Sequence, residues 1–237
     1  MEVQVAVSKI HKYATSSSGD TVEVVERPQG GVSAVLADGQ SSGKGAKNIS
    51  TLVVRKVIAL LAEGVRDGAA ARAASDSLYT ERGGKVSAAL NILSVDYQTR
   101  TLVVTRNNPA PAILAINDQI RWLNEPCQPI GLYRDTRPVI NEVPLEAGLT
   151  AIAFSDGMIH AGERTGQPLD IAACLEELLE DEAPSPQRIA DTLLEHAVRL
   201  DNHRPVDDIS VVVMSILKHP GDGVRRMFVR LPLEPTY

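Results

Sequence analysis

Residues 31 to 46 read GVSAVLADGQSSGKGA. The first seven form a strand-type apolar run that delivers Asp38-Gly39 at its end. From Ala46 the period changes: Ile49, Leu52, Val53, Val57, Leu60 and Leu61 recur three and four apart, which predicts a helix ending near Gly64. A glycine-rich turn between a strand and a helix invites comparison with a nucleotide phosphate loop. That loop needs two glycines enclosing four residues, then Lys-Ser/Thr, so that backbone N–H groups wrap the phosphates and the hydroxyl holds Mg²⁺. Here Gly39 and Gly43 enclose three residues, and Gly45 stands where the hydroxyl should be. A nucleotide-binding enzyme is therefore a distant reading, and the weight falls on Asp38. A carboxylate closing a buried strand is firmly placed and suits a metal ligand; the alternative is an Asp-Gly pair serving only as a turn.

Outward from this turn, period-two patterning marks residues 2 to 8 and 22 to 26 as strands, so three strands precede any helix. A second, alanine-rich helix is expected over roughly 69 to 81, closed by Gly83-Gly84. Strands follow at 87 to 95, 101 to 106, 112 to 116, 120 to 123, 139 to 145 and 149 to 155, joined by short gaps such as DYQTR and NDQ that favour antiparallel neighbours. Helices at about 169 to 181 and 186 to 201 come next, the second with Ser185 as N-cap and Pro186 at its first position. A buried strand spans 209 to 217, and 224 to 233 is expected to add an edge strand; GERTGQP (162 to 168) and EDEAPSP (180 to 186) read as surface loops. Blocks of strands separated by pairs of helices are not the strict alternation of a parallel α/β fold. They predict two antiparallel sheets packed face to face with a helix pair on each outer face, formed by one domain over 1 to 237.

The composition is ordinary for a globular chain of 237 residues, 43% hydrophobic and 23% charged. A net charge of −6 and an aromatic content of 3% argue against a nucleic-acid surface, which needs positive charge and stacking platforms. Cys127 and Cys174 are too few for a disulfide framework and are not spaced as a metal pair, which fits thiols in a reducing cytoplasm. The N-terminus lacks the pattern of a signal peptide, and no stretch approaches the roughly 20 apolar residues of a membrane span. A cytoplasmic location is the expectation.

Three further aspartates resemble Asp38 in placement. Asp20 precedes the strand VEVV, Asp156-Gly157 follows the buried strand AIAFS, and Asp207-Asp208 opens ISVVVM. If these strand ends converge, the carboxylates cannot all stay ionised without compensation, and divalent cations supply it. Oxygen-only ligation selects Mg²⁺ or Mn²⁺ over Zn²⁺.

These residues resemble the metal-dependent protein phosphatases of the protein phosphatase 2C type. The bacterial branch is the nearest in pattern, that of the stage II sporulation protein E phosphatase domain and the sigma-factor regulators. The resemblance is carried by SGD (18 to 20), VLADGQSSGKGA, SAALNILSVDYQTRTLVVTRNNPAPAIL, PIGL (129 to 132), IAFSDGMIHAGE (152 to 163) and VDDISVVVM (206 to 214), in order along nearly the whole chain. It implies an αββα sandwich and a hydrolase that removes phosphate from phosphoserine or phosphothreonine using water activated by two Mn²⁺ or Mg²⁺ ions. Asp38 would bridge the ions; the Gly39 carbonyl and Asp20 would serve one, Asp156 and Asp207 the other. Asp208 would be a supporting or alternative ligand, with Asp38 and Asp156 acting on the reaction through metal-bound water. Lys44 is a candidate phosphate contact, and Arg106 has similar standing. The implied substrate is a phosphorylated protein, an anti-anti-sigma-type regulator, with regulation arriving by a partner or by homodimerisation. The pattern departs from the family at Gln40-Ser41-Ser42 and at Arg106-Asn107-Asn108. Those departures raise a rival reading, a binding module that kept the fold and lost turnover.

Overall fold

The computed structural model describes residues 1–116, 119–180, 184–218 and 223–232. Three strands come first, β1 (Glu2–Ile10), β2 (Asp20–Glu26) and β3 (Gly31–Gly39), followed by helices α1 (Gly43–Ala62) and α2 (Asp67–Arg82). Then come β4 (Ala88–Asp96), β5 (Thr101–Asn107), β6 (Ala112–Ile116), β7 (Gln119–Leu123), β8 (Val139–Pro144) and β9 (Thr150–Phe154). The chain continues through α3 (Asp156–His160), α4 (Ile171–Glu180), α5 (Pro186–Leu200) and β10 (Ile209–Leu217). The strands form two five-stranded antiparallel sheets, β1-β10-β9-β6-β7 and β2-β3-β4-β5-β8.

Strand periodicity explains the layers. Successive side chains point to opposite faces, and in β3 Ala34 and Leu36 join the cluster between the sheets while Val35 and Ala37 meet the helices. β4 divides likewise, with Leu93 and Val95 inward and Leu90 and Ile92 outward. In the other sheet Val212 and Met214 face inward, whereas Ile209, Val211 and Val213 meet α4 and α5. The stripe of Val53, Val57 and Leu61 on α1 and Ala70, Ala74 and Leu78 on α2 covers one outer face. Ile171, Cys174, Leu175 and Leu178 on α4 and Ile189, Leu193 and Ala197 on α5 cover the other. The expected αββα sandwich is therefore the observed one.

Local chemistry sets the helix ends. The Ser185 side chain accepts from Arg188 N at 3.2 Å with Pro186 in the first turn, and Gly83 closes α2 with φ 62°. Helix α1 begins at Gly43, earlier than the apolar stripe predicts, because its first turn is polar and carries no stripe to read. Two expectations are corrected. Residues 224 to 232 form no strand, and Met227, Phe228, Val229 and Leu231 are exposed. The segment pairs with neither sheet, and Arg225 meets Glu26 at the end of β2 at 2.6 Å. The loop expected at 162 to 168 contains a 3₁₀ turn, Glu163–Thr165. Parts of four expectations, residues 117–118 of the NDQ turn, 181 of the helix expected over 169 to 181, 181–183 of the loop expected over 180 to 186 and 233 of the edge segment, lie outside the described residues.

Candidate active site

The same periodicity aims the aspartates. Asp38 is two residues beyond Leu36 and so continues the inward face of β3; Asp20 sits directly opposite it in the β2–β3 register. In the facing sheet Ser155 follows Phe154 at the end of β9, and Ser210 precedes Val212 in β10, both at inward positions. Asp156 opens α3 and Asp207 immediately precedes Asp208 at the entrance to β10. Both sheets thus present acidic residues at one end of the sandwich.

Glycines let the segments close. A Cβ on Gly39 would lie 2.1 Å from the Ala46 carbonyl oxygen, one on Gly157 2.3 Å from that of Asp208, and one on Gly19 2.8 Å from Ala46 Cβ. None of the three has positive φ. Gly39 and Gly157 are needed for close backbone contact and Gly19 for close approach to the Ala46 and Asp208 side chains, which turn propensity alone does not explain.

Asp208 is a clamp. Its Oδ1 accepts from Lys12 N at 2.9 Å and its Oδ2 from Gly19 N at 2.7 Å, so both oxygens hold the β1–β2 connection. Its own N–H donates to Asp207 Oδ1 at 2.9 Å, and its carbonyl accepts from Ser155 Oγ at 3.2 Å. Asp20, by contrast, is fully buried, and neither carboxylate oxygen has a hydrogen-bond partner of good geometry. The nearby Ser210 and Ser155 hydroxyls favour its ionised form, but burial outweighs them and raises its pKa. Burial pushes Asp38 up to about 9, with Asp20, Asp156 and Asp207 acting in the same direction. Asp156 is also raised, first by burial and then by Asp207, with His160 opposing. Four carboxylates from two sheets therefore share one electrostatic neighbourhood. Among the described residues no three acidic, histidine or cysteine side chains already converge as a formed metal cage.

Two lysines escaped the sequence reading. Lys9 and Lys47 donate to the Asp20 carbonyl oxygen at 3.0 and 2.8 Å, and Lys47 also reaches Thr21 Oγ1 at 2.8 Å. Burial lowers the pKa of both, and for Lys9 the second cause is Lys47 itself. Lys44, one turn earlier on α1, is exposed. Helical spacing from Lys44 to Lys47 was the available signal, and strand parity could have found Ser155 and Ser210. Arg106 is corrected outright: it is 1% exposed, and its guanidinium donates to the carbonyls of Asn108 at 2.7 Å, Ala110 at 3.3 Å and Glu125. Its donors brace loop backbone and do not face phosphate. His160 ends α3, half exposed, 3.2 Å from Glu163 Oε1.

The donor set passes a fit test for hard divalent cations. It is all oxygen, it contains buried carboxylate oxygens without partners, and Asp20, Asp156 and Asp207 together with burial raise the pKa of Asp38. No helix among the described residues is long and apolar enough to cross a membrane.

Comparison with known proteins agrees with this fold. Stage II sporulation protein E of Bacillus subtilis (strain 168) is 23% identical over 200 residues, 84% of this chain but 24% of that protein, so the chain spans about a quarter of that curated relative. The solved structure of the PP2C phosphatase domain with a regulatory fragment of the B. subtilis protein superposes with a TM-score of 0.78 at 21% identity, covering 91% of this chain and 63% of that one. The catalytic domain of serine/threonine protein phosphatase PstP in complex with two manganese ions superposes with a TM-score of 0.69 at 17% identity, covering 91% of this chain and 99% of that one. The family model for stage II sporulation protein E matches residues 28–217. The chain belongs to the stage II sporulation protein E family.

Proposed function

We propose that the chain is a divalent-metal-dependent protein phosphatase that hydrolyses phosphoserine or phosphothreonine. The observation that carries this reading is the pairing of Asp38 with Asp20 opposite it in the β2–β3 register, Asp20's buried oxygens unpartnered and Asp156 and Asp207 close enough to raise the pKa of Asp38. Carboxylates so placed are poorly stable as ions by themselves and well matched to cations. Asp38 and Asp20 from one sheet, Asp156 and Asp207 from the other, and the Gly39 carbonyl would hold two Mg²⁺ or Mn²⁺ ions. A pair of such ions, when bound, supplies an activated water and a clamp on the phosphoryl group.

The chain's own residues fix the geometry. Asp208 ties the segment carrying Asp20 to the one carrying Asp207, while Lys47 and Lys9 hold the Asp20 backbone from α1 and β1. Lys44, exposed on the first turn of α1, is the candidate contact for the substrate phosphate. By family likeness the substrate is an anti-anti-sigma-type phosphoprotein in the cytoplasm, and residues 1 to 237 act as one catalytic domain able to take input by homodimerisation.

Hydrolysis of p-nitrophenyl phosphate with Mn²⁺ tests the reading. Wild type turns over, and Asp38→Ala and Asp156→Ala each lose on the order of 100-fold or more, as expected when the groups holding catalytic ions are removed. Equal, metal-independent rates in all three would instead favour the rival binding module.

A further inference from the structure

Arg164, Thr165, Asn202 and Arg204 line a cleft of about 710 Å³. Fully buried Asp201, at the end of α5, builds it: its Oδ1 accepts from Gly162 N at 3.0 Å and its Oδ2 from Val206 N at 3.1 Å. Gly162 lies just beyond α3, which opens with Asp156, and Val206 immediately precedes Asp207. One carboxylate thus joins the two segments that bring Asp156 and Asp207 to the site, and the cleft adjoins both.

Its arginines are held in place. Arg164 Nη2 donates to the carbonyls of Asp201 at 3.1 Å and Arg204 at 3.3 Å. The Arg204 guanidinium lies 5.3 Å from the centre of the Tyr13 ring, and Tyr13 N donates to Pro205 O at 2.9 Å. Among the described residues neither guanidinium pairs with a carboxylate. Glu163, immediately before Arg164, is engaged by His160. In a chain with 30 acidic and 24 basic residues, two arginines lining one cleft with no carboxylate partner among the described residues mark a place for an outside anion.

We infer that this cleft binds an acidic side chain of the protein substrate flanking the phosphorylated residue, and so selects phosphoproteins with Asp or Glu near the phosphate. The inference rests on the phosphatase reading and deepens it. A phosphate approaching four aspartates carries its neighbours with it, and acidic neighbours would be repelled there unless positive charge received them. Arg164 and Arg204 supply that charge at the rim, where complementarity sets partner choice.

The test uses the full chain with Mn²⁺ and two phosphoserine peptides, one flanked by glutamates and the other by glutamines in the same positions. Wild type favours the glutamate peptide by about tenfold or more in kcat/KM, the worth of one hydrogen bond between charged groups. Arg204→Gln, whose guanidinium makes no hydrogen bond within the described fold, and the double variant with Arg164→Gln lose that preference while hydrolysing p-nitrophenyl phosphate at the wild-type rate. Equal use of both peptides by wild type, or a preference that survives in the variants, overturns the inference. Fluorescence anisotropy of the labelled peptides needs no turnover. If wild type fails to hydrolyse p-nitrophenyl phosphate, the phosphatase reading falls, and anisotropy still decides whether the cleft prefers acidic peptides.

Discussion

Asp20 and Asp201 are both 0% exposed, yet they live in opposite circumstances. Asp201 spends both oxygens on backbone N–H groups of Gly162 and Val206, and Asp208 does the same with Lys12 and Gly19. Asp20 has neither oxygen satisfied, and Asp38 beside it is raised to about 9. Burial without partners costs several kcal/mol for a charged group unless it neutralises or finds a counter-ion. The difference separates carboxylates that hold the fold from carboxylates kept ready for something outside it.

The largest expected effect breaks the satisfied side. Asp208→Ala strands two amide donors, each costing about 1–3 kcal/mol, so urea unfolding should show a loss of about 2–6 kcal/mol, with activity falling as the Asp207 segment loosens. The next sharpens the unsatisfied side. Saturating Mn²⁺ at 100 times its Kd stabilises wild type by about 2.7 kcal/mol, a rise in Tm on the order of 5–10 °C for a chain of this size. Asp38→Asn should abolish most of that rise. Asp20→Asn has the opposite sign from Asp208→Ala: without metal it should stabilise the protein by about 1 kcal/mol, the usual gain when a strained site is relieved. A destabilised Asp20→Asn protein would place Asp20 among the structural carboxylates.

What could be read in advance follows from what is periodic. Every strand and each long helix was legible because one face must be apolar, whereas 224 to 232 has a strand's pattern and forms none. The stretch 31 to 39 showed both the strand and the placement of Asp38. Less legible were features with no period. Asp208 read as an alternative ligand because sequence shows a carboxylate without showing that Lys12 and Gly19 occupy it. The roles of Gly19, Gly39 and Gly157 in close packing also needed three dimensions, as did the burial of Arg106. The five-residue helix after Ser155 carries too little apolar pattern to announce α3.

The smallest expected effect concerns two lysines one turn apart on α1. Lys44 is exposed and Lys47 is half-buried, donating to the Asp20 carbonyl and to Thr21 Oγ1. Lys47→Ala removes two hydrogen bonds around a carboxylate that already lacks partners, at a cost of about 1 kcal/mol each. Lys44→Ala, a surface change, should leave stability within about 0.5 kcal/mol. If Lys44 meets the substrate phosphate, its loss raises KM for p-nitrophenyl phosphate while kcat holds, the signature of binding shared by ground and transition states. Unchanged KM in Lys44→Ala, with impaired turnover in Lys47→Ala, would move the functional lysine from the surface of α1 to its buried face. The charge that matters would then be one that orders Asp20 from behind and never touches phosphate.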